Sequence, residues 1–222
     1  MNTAPQSIEQ LLLRAREMAG LSLTELAHRL HVQLPDNLRR EKGWTGQLLE
    51  LWLGATAGSK PEQDFPQLGV ELKSLPIDRN GRALESTYVC MTPLLHAQGE
   101  TWQSSSVRNK LSRVLWIPVL AEREIPIVNR TIGSPILWQP TPKQEAILKQ
   151  DWEELMEAIA LGKVEQLTAR HGTALQLRPK AANSRVRTKA YGPRGQLIDT
   201  LPKGFYLRRS FTQNLINEYF LL

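Results

Sequence analysis

One short segment, a third of the way along the chain, constrains the fold more than any other feature. In GVELKSLPI, residues 69–77, the apolar Val70 and Leu72 alternate with the charged Glu71 and Lys73. Successive side chains of a β-strand point to opposite faces, so the pattern predicts a strand with one apolar face and one charged face. Asp64 lies just ahead of it. We therefore expect a sheet with two carboxylates and a lysine near the start of one strand.

Helical spacing of apolar residues predicts three helices before this strand, in SIEQLLLRAREMAG, SLTELAHRLHV and GWTGQLLELWLGA. The third is unusually apolar and contains Glu50. A carboxylate in such a helix either lies on its one polar stripe or is held inward by a partner. Both interpretations stay open from the sequence.

The pattern after the strand predicts a mixed α/β fold. Asn80 and Gly81 favour a turn, and ALESTYVCMTPL is predicted to return as the second strand of a hairpin. Further strands are expected in RVLWIPVL, EIPIVNRTIGSPILW, TALQLRP and GFYLRR, with a basic Gly/Pro-containing loop between the last two. A long helix from about residue 143 to 161 and a closing helix in TQNLINEYFLL complete the prediction.

Composition excludes several classes of protein. The chain has 222 residues, 41% hydrophobic and 23% charged, which are ordinary values for a globular protein. No apolar run approaches the roughly 18 residues of a membrane span, and the first residues do not resemble an export signal. Cys90 is the only cysteine, so no internal disulfide or cysteine-rich zinc site is expected. We expect a soluble, cytoplasmic protein that, without a phosphate-binding GxxxxGK[ST] motif, does not itself hydrolyse ATP.

Positive charge is concentrated in the last third of the chain. The net charge is +6, and Asp199 is the only acidic residue between Gln166 and Asn217. The basic residues there are Arg170, Arg178, Lys180, Arg185, Arg187, Lys189, Arg194, Lys203, Arg208 and Arg209. Such a block favours a polyanion, because each neutralised phosphate releases condensed counterions. The alternative is a solvated basic face without a partner.

The carboxylates and the lysine of the alternating strand suit phosphodiester hydrolysis. That reaction needs a divalent cation on oxygen ligands and a positive group near the attacking water or the phosphate. Asp64, Glu71 and Lys73 supply these groups, and Glu50 is a further candidate ligand. The alternative is a solvated strand face on which Glu71 and Lys73 form a favourable side-chain pair.

Longer blocks carry a resemblance to a known family. They are KGWTGQLLELWLGATAGSKPEQDF, LGVELKSLP, VRNKLSRVLWIPV, QDWEELMEAIALG, LTARHGTALQLRPKAAN and LPKGFYLRRSFT. Together they resemble the MutH family of endonucleases, which nick one DNA strand in methyl-directed mismatch repair. The resemblance implies a restriction-endonuclease-like α/β fold of the PD-(D/E)xK type, a mixed central sheet flanked by helices, with two lobes around a DNA-binding cleft. It implies a single endonuclease domain over residues 1–222, with an N-terminal lobe (about 1–100) carrying most of the active site and a C-terminal lobe (about 101–222) recognising DNA.

The resemblance also assigns roles to individual residues. Asp64, Glu71 and Glu50 resemble the family's active-site carboxylates that hold metal, and Lys73 resembles the lysine near the nucleophilic water. Lys110 resembles an auxiliary active-site lysine. The residues that resemble the family's DNA contacts are Lys42, Arg178, Pro179, Lys180 and Tyr206, the last associated with sensing adenine methylation.

The implied activity is a Mg²⁺-dependent cut of the unmethylated strand at hemimethylated GATC, 5′ to the guanine. Mn²⁺ is expected to substitute for Mg²⁺, and Ca²⁺ to bind without supporting cleavage. The implied partners are double-stranded DNA and the activator MutL, which acts with ATP after MutS has found a mismatch. We expect a monomer, because nicking one strand needs one active site. Two alternatives stay open: a type II restriction endonuclease that cuts both strands of GATC, and a DNA-binding module without catalysis.

Overall fold

The computed structural model describes residues 3–35, 43–58, 60–95 and 99–220. Lys42, one of the predicted DNA contacts, lies outside them. The chain divides into two compact units, neither of which is continuous in sequence. The first unit comprises Met1–Glu85, Ser112–Gln139 and Ile216–Leu222, and the second comprises Ser86–Leu111 and Pro140–Leu215.

The described residues form a mixture of helices and short strands, as the sequence predicts. The α-helices are α1 (Ile8–Glu17), α2 (Leu23–Arg29), α3 (Trp44–Leu53), α4 (Ser106–Leu111), α5 (Pro142–Ala160) and α6 (Arg209–Phe220). The strands are β1 (Glu71–Ile77), β2 (Thr87–Met91), β3 (Val114–Leu120), β4 (Ile136–Trp138), β5 (Leu175–Pro179), β6 (Thr188–Tyr191), β7 (Leu197–Thr200) and β8 (Lys203–Leu207).

The predicted helices are confirmed, and local capping explains where they begin. Ser22 caps α2 in a capping box with Glu25, each side chain bonding the other residue's backbone N–H. Thr141 and Gln144 form the same motif at the start of α5. The helix α3 ends at Gly54, whose φ of 78° is the left-handed conformation that glycine adopts without strain. These signals lie within a few residues of each helix end, so the sequence reveals them.

The sheet of the first unit has the order β1-β3-β4. The strands β1 and β3 run parallel with Glu71 opposite Val114, and β4 adds to β3 antiparallel. From Val114 to Val119 every residue of β3 is buried, as is common for a strand covered on both faces. The helix α3 packs against β1, and the core of this unit includes Leu49, Val70 and Leu115.

The predicted hairpin of β1 and β2 is wrong. After the turn, Ile77 and Ala83 form only an isolated bridge. Strand β1 pairs with β3 instead. The strand β2 pairs antiparallel with β8 in the second unit. Asp78 accepts hydrogen bonds from the backbone N–H groups of Asn80 and Arg82, which stabilises the local turn. A turn reverses the chain, but it does not specify which strand pairs with β1, and here the partner is β3, which is buried from Val114 to Val119.

Two other segments also differ from the prediction. In the segment 124–138 only β4 forms, because Pro126, Gly133 and Pro135 interrupt strand pairing. The basic loop contains a hairpin, β6 paired antiparallel with β7, that the sequence did not predict. Its connection contains Gly192, Pro193 and Gly195, a composition that indicates a loop but also suits a tight hairpin turn.

The second unit is built on a sheet of order β2-β8-β5. The helix α5 packs against β5, and Trp102 and Trp152 are buried with ring centroids 6.1 Å apart. In the parts of the chain that the structure describes, no helix is both long and apolar enough to span a membrane.

Candidate active site

A buried ion pair occupies the start of β1. Glu71 is only 2% exposed, and its Oε1 lies 2.6 Å from Nζ of Lys73. The side chains share one face of the strand, as the alternation predicts. Burial of Glu71 excludes the alternative of a solvated strand face. Burying a carboxylate costs free energy unless it is paired and hydrogen-bonded, and Lys73 supplies that pairing for Glu71.

Asp64 is held against the same end of β1 by a tight reversal of the chain. Phe65 and Val70 form a bridge, and Gly69 between them has a φ of 63°. The reversal brings the Asp64 carboxylate to the strand, where Oδ2 accepts a hydrogen bond of 2.7 Å from the backbone N–H of Leu72. Asp64 thus bonds to the residue that directly follows Glu71 in β1.

Glu50 lies on α3, the helix that packs against β1, and its side chain is half-buried. Its backbone carbonyl accepts hydrogen bonds from Gly54 and Ala55 at the end of the helix. Among the residues that the structure describes, no three His, Cys, Asp or Glu side chains form a ready-made metal group. Mg²⁺ usually takes one or two carboxylates together with water and substrate phosphate, so Asp64 and Glu71 suit it without a third ligand.

Lys110 belongs to the second unit, on the short helix α4, and is half-buried. Arg108 anchors this helix to α5: its Nε lies 3.0 Å from Oε1 of Glu145, which also accepts a bond from Nε1 of Trp102. These bonds, the one from Arg108 first, lower the pKa of Glu145 below its ordinary value. This contact, together with the buried Val107 and Leu111, holds the helix that carries Lys110.

Three of the predicted DNA contacts, Arg178, Lys180 and Tyr206, form a cluster of cations and aromatic rings with Tyr88, which was not among the predicted contacts. We call these four residues the cation–aromatic cluster. The Arg178 guanidinium lies 5.7 Å from the Tyr206 ring centroid and donates a 2.6 Å hydrogen bond to Oγ of Ser86. The Tyr206 and Tyr88 rings meet edge to face with centroids 5.4 Å apart. Nζ of Lys180 lies 4.3 Å from the Tyr88 ring centroid.

Comparisons with known proteins match the chain to one family. Residues 53–151 match the family model described as DNA mismatch repair enzyme MutH. The chain is 61% identical over 218 residues to the DNA mismatch repair protein MutH of Klebsiella pneumoniae subsp. pneumoniae, covering 98% of this chain and 94% of that protein. Identity to MutH of Vibrio cholerae is 58% over 220 residues, covering 99% of this chain and all of that protein. Identity to MutH of Shewanella oneidensis is 58% over 216 residues, or 97% of each chain.

The chain belongs to the MutH family.

Membership in the MutH family confirms the resemblance found in the sequence. The matched segment, 53–151, contains Asp64, Glu71, Lys73 and Lys110. Arg178, Pro179, Lys180, Tyr206 and Glu50 lie outside that segment but within the stretch aligned with the full-length relatives. The role of each residue stays a prediction.

The structure adds a residue that sequence patterns did not reveal. Gly204 lies opposite Arg178 in the ladder of β5 and β8. A Cβ at Gly204 would lie 2.9 Å from Cε2 of Tyr88 and 3.2 Å from the carbonyl oxygen of Cys90. The absence of a side chain therefore allows the Tyr88 ring to lie against β8. Only the pairing of β2, β8 and β5 brings these residues together, so no local pattern could have indicated Gly204.

A second set of contacts fixes the strands that carry the cation–aromatic cluster. Asp151 of α5 is 4% exposed. Its carboxylate accepts hydrogen bonds of 2.6–2.8 Å from three successive backbone N–H groups, those of Thr173, Ala174 and Leu175. Arg208, just after β8, donates to three carbonyls of the adjoining loop, those of Ala169, His171 and Gly172. A carboxylate and a guanidinium thus hold the start of β5 and the end of β8.

Proposed function

We propose that this MutH-family protein is a Mg²⁺-dependent DNA endonuclease of mismatch repair. It nicks the unmethylated strand at hemimethylated GATC, 5′ to the guanine, when MutL activates it after MutS has found a mismatch. The observation that carries the proposal is the buried pair of Glu71 and Lys73 with Asp64 beside it. A restriction-endonuclease-like fold with two lobes around a DNA-binding cleft belongs to the same proposal.

The carboxylates of this site suit a hard divalent cation. Asp64 and Glu71 are the proposed ligands, and Glu50 of the neighbouring helix is the third candidate. When bound, Mg²⁺ polarises the phosphoryl group and makes hydroxide available near neutral pH. Mn²⁺ is the expected substitute, and Ca²⁺ is expected to bind without supporting cleavage.

The lysines have a complementary role. The Lys73 ammonium, which donates a hydrogen bond to the Glu71 carboxylate, is proposed to orient the attacking water and to stabilise negative charge that develops on the phosphate. Lys110 is proposed as a second cation at the reacting phosphate. Neither lysine needs to transfer a proton for this electrostatic contribution.

Recognition of GATC falls to the second unit. The guanidinium of Arg178 suits guanine, because its fork of donors matches the O6 and N7 acceptors. The Tyr206 ring is proposed to lie near the adenine N6, where it would exclude a methyl group on the strand to be cut. Pro179 and Lys180 complete the proposed contacts of this unit, and Lys42, which precedes α3 in the sequence, is a further proposed contact. Basic residues of the segment 185–194 are proposed to contact phosphates outside the recognised bases.

A nicking assay tests the proposal. Supercoiled and linear DNA with one GATC site would be incubated in unmethylated, hemimethylated and fully methylated form, with and without MutL. Each reaction is repeated with Mg²⁺, Mn²⁺, Ca²⁺ and EDTA. We expect a single nick in the unmethylated strand with Mg²⁺ or Mn²⁺, stimulation by MutL and MutS with ATP, and no cleavage with Ca²⁺ or EDTA. Asp64→Ala and Glu71→Ala should abolish nicking, while Glu124→Ala, at an exposed position of the first unit, should not.

The outcomes separate the alternatives. Nicking that survives Asp64→Ala or Glu71→Ala contradicts the proposed active site. Rapid cleavage of both strands without MutL indicates a type II restriction endonuclease. Binding of GATC without cleavage under any metal condition indicates a DNA-binding module. Sedimentation of the free protein tests the proposal that it is a monomer, and fractionation of cells tests its proposed cytoplasmic location.

A further inference from the structure

Gln176 lies on β5, on the face of the sheet that carries the cation–aromatic cluster. In the sheet β2-β8-β5, Gln176 pairs with Tyr206, and Tyr206 pairs with Tyr88. Directly opposed residues of antiparallel strands project from the same face. Arg178, two residues further along β5, shares this face as well. Leu175 and Leu177 point to the opposite face and are buried.

The state of the Gln176 side chain is unusual for a buried amide. The residue is only 6% exposed, although Arg178 beside it is exposed. Buried amides nearly always make hydrogen bonds, yet no described residue bonds to the Gln176 amide. In the described ranges, the fully enclosed polar side-chain atoms without a hydrogen bond belong to Thr87, Thr92, Trp116 and Arg130. Gln176 is not among them, so its amide is not fully enclosed although the residue as a whole is buried.

We infer that Gln176 is a further specificity-determining residue, whose amide hydrogen-bonds the N6 and N7 edge of an adenine in GATC. The inference rests on the proposed function, because it assumes that this face meets the GATC site.

The chemistry of the amide selects adenine. In the major groove adenine presents one donor, N6–H, and one acceptor, N7, while guanine presents two acceptors. A glutamine amide has one acceptor and a donor group side by side, so it matches adenine, whereas the all-donor guanidinium of Arg178 matches guanine. Two residues on one face of a strand lie about 7 Å apart. Adjacent bases stack about 3.4 Å apart. Two long side chains can converge over the difference between these spacings, so Arg178 and Gln176 can contact the adjoining G and A of the site.

The position beside Tyr206 connects this contact with methylation. Tyr206 is the residue proposed to lie near the adenine N6, and Gln176 is its cross-strand partner. Burial of the residue fixes the amide, because few rotamers remain open to it, and a fixed amide discriminates better between bases than a mobile one. No local sequence pattern could indicate this role for Gln176, because its neighbours Tyr206 and Tyr88 are remote in the chain.

A cycle that combines protein variants with a modified base tests the inference. The DNA carries 7-deazaadenine, which lacks only N7, in the GATC of one strand and then of the other. Nicking with Mg²⁺ and MutL is measured as kcat/KM for the full-length wild-type protein and for Gln176→Leu, a variant of similar size that cannot hydrogen-bond. Gln150→Leu, on an exposed turn of α5, is the matched control. Thermal unfolding of each variant is measured in parallel.

We expect 7-deazaadenine in one of the strands to lower wild-type kcat/KM about tenfold, the value of one base-edge hydrogen bond. Gln176→Leu should lower it by about tenfold or more on normal DNA, with no further loss on the modified DNA. Gln150→Leu should behave as wild type. Gln176→Glu provides a second test, because its carboxylate repels N7. Removing N7 should therefore raise the activity of Gln176→Glu, a rescue that loss of folding would not produce.

The results also distinguish this inference from the proposed function. If the loss from Gln176→Leu and the loss from 7-deazaadenine multiply, as independent effects do, the inference is overturned. A Gln176→Leu variant as active as wild type would also overturn it. Neither result would contradict the proposed nuclease activity. Wild-type protein that does not nick hemimethylated GATC would overturn both. If Gln176→Leu does not fold, the response of Gln176→Glu to 7-deazaadenine decides: rescue supports the contact with N7, and an unchanged or lower rate overturns it.

Discussion

Replacing Lys73 by methionine should reveal how the protein pairs Glu71, its proposed active-site carboxylate, in the absence of metal. The change keeps the length of the side chain and removes the ammonium that lies 2.6 Å from Oε1 of Glu71. Breaking a buried ion pair by removing one partner costs about 3–5 kcal/mol. The Glu71 and Lys73 side chains are 3% and 15% exposed, so some solvent reaches the pair. We therefore expect Lys73→Met to lower the free energy of unfolding by about 2–4 kcal/mol.

The assay is urea unfolding followed by tryptophan fluorescence, first in EDTA and then at increasing Mg²⁺. The double variant Glu71→Gln/Lys73→Met removes both charges, so it should recover much of the loss, with a coupling energy of about 1–3 kcal/mol. Mg²⁺ should stabilise Lys73→Met more than wild type, because the cation no longer competes with an ammonium for Glu71. Saturation at a hundredfold excess over Kd would add about 2.7 kcal/mol.

A matched control separates this effect from the loss of any lysine. Lys149→Met removes an exposed pair with Glu153, whose side chains are 43% and 54% exposed. Such a pair contributes about 0.3–0.5 kcal/mol, so the control should unfold almost as wild type does. If Lys73→Met is also within about 0.5 kcal/mol of wild type, and no coupling to Glu71 appears, the account of a buried, mutually dependent pair is refuted.

Three further changes test the supports of the site. Asp151→Asn should destabilise the protein by about 2–3 kcal/mol and weaken selective nicking of GATC, because an amide cannot accept all the hydrogen bonds from the N–H groups of residues 173–175; urea unfolding and the nicking assay measure the two effects. Arg108 holds the pKa of Glu145 below its ordinary value of 4.5, so this carboxylate stabilises the fold above that pH, and the contribution is lost as the pH falls through the lower folded-state pKa. The free energy of unfolding of Glu145→Gln should therefore fall less with acid than that of wild type. The difference should be under about 1 kcal/mol, because solvent screens the pair. Gly204→Ala should reduce affinity for GATC duplex in a fluorescence titration, because the new methyl group displaces the tyrosine ring that now lies 2.9 Å from that point.

Each of these changes has a control and an opposing result. Gly46→Ala adds a methyl group in open space, so it should leave DNA affinity unchanged. Equal affinities of Gly204→Ala and wild type would contradict the proposed packing of the cluster. Identical acid unfolding of wild type and Glu145→Gln would show that Arg108 does not stabilise the ionised carboxylate. Full stability of Asp151→Asn would show that the loop before β5 does not depend on a charged acceptor.

Local features of the fold could be predicted because their causes are local. The capping box of Ser22 and Glu25 lies within one turn of chain, and the apolar spacing of α5 repeats every one or two turns. The helices α2 and α5 both formed as expected. The turn at Asn80 and Gly81 is also local, but it did not determine the partner of β1. The strand that pairs with β1 begins at Val114, far away in the sequence, so the local turn could not specify it.

The candidate site divides in the same way. Alternation in the sequence placed Glu71 and Lys73 on one face, and the resemblance named Asp64 beside them. Neither could show that Glu71 is 2% exposed or that the chain reversal at Gly69 brings Asp64 to the N–H of Leu72. Burial is a property of everything packed around a residue, so a pattern of a few residues cannot specify it.

The sequence by itself determined the family, the mixed α/β class, the capped helices and the residue types at the charged end of β1, since these depend on composition and on periods of two to four residues. The tertiary structure alone decided that Tyr88, Gln176, Arg178 and Tyr206 share one surface. Those residues lie on three strands separated by long stretches of chain, and antiparallel pairing of β2, β8 and β5 joins them. Strand pairing satisfies backbone hydrogen bonds, and other elements must then bury the faces of the sheet, so the choice of partner depends on the entire fold.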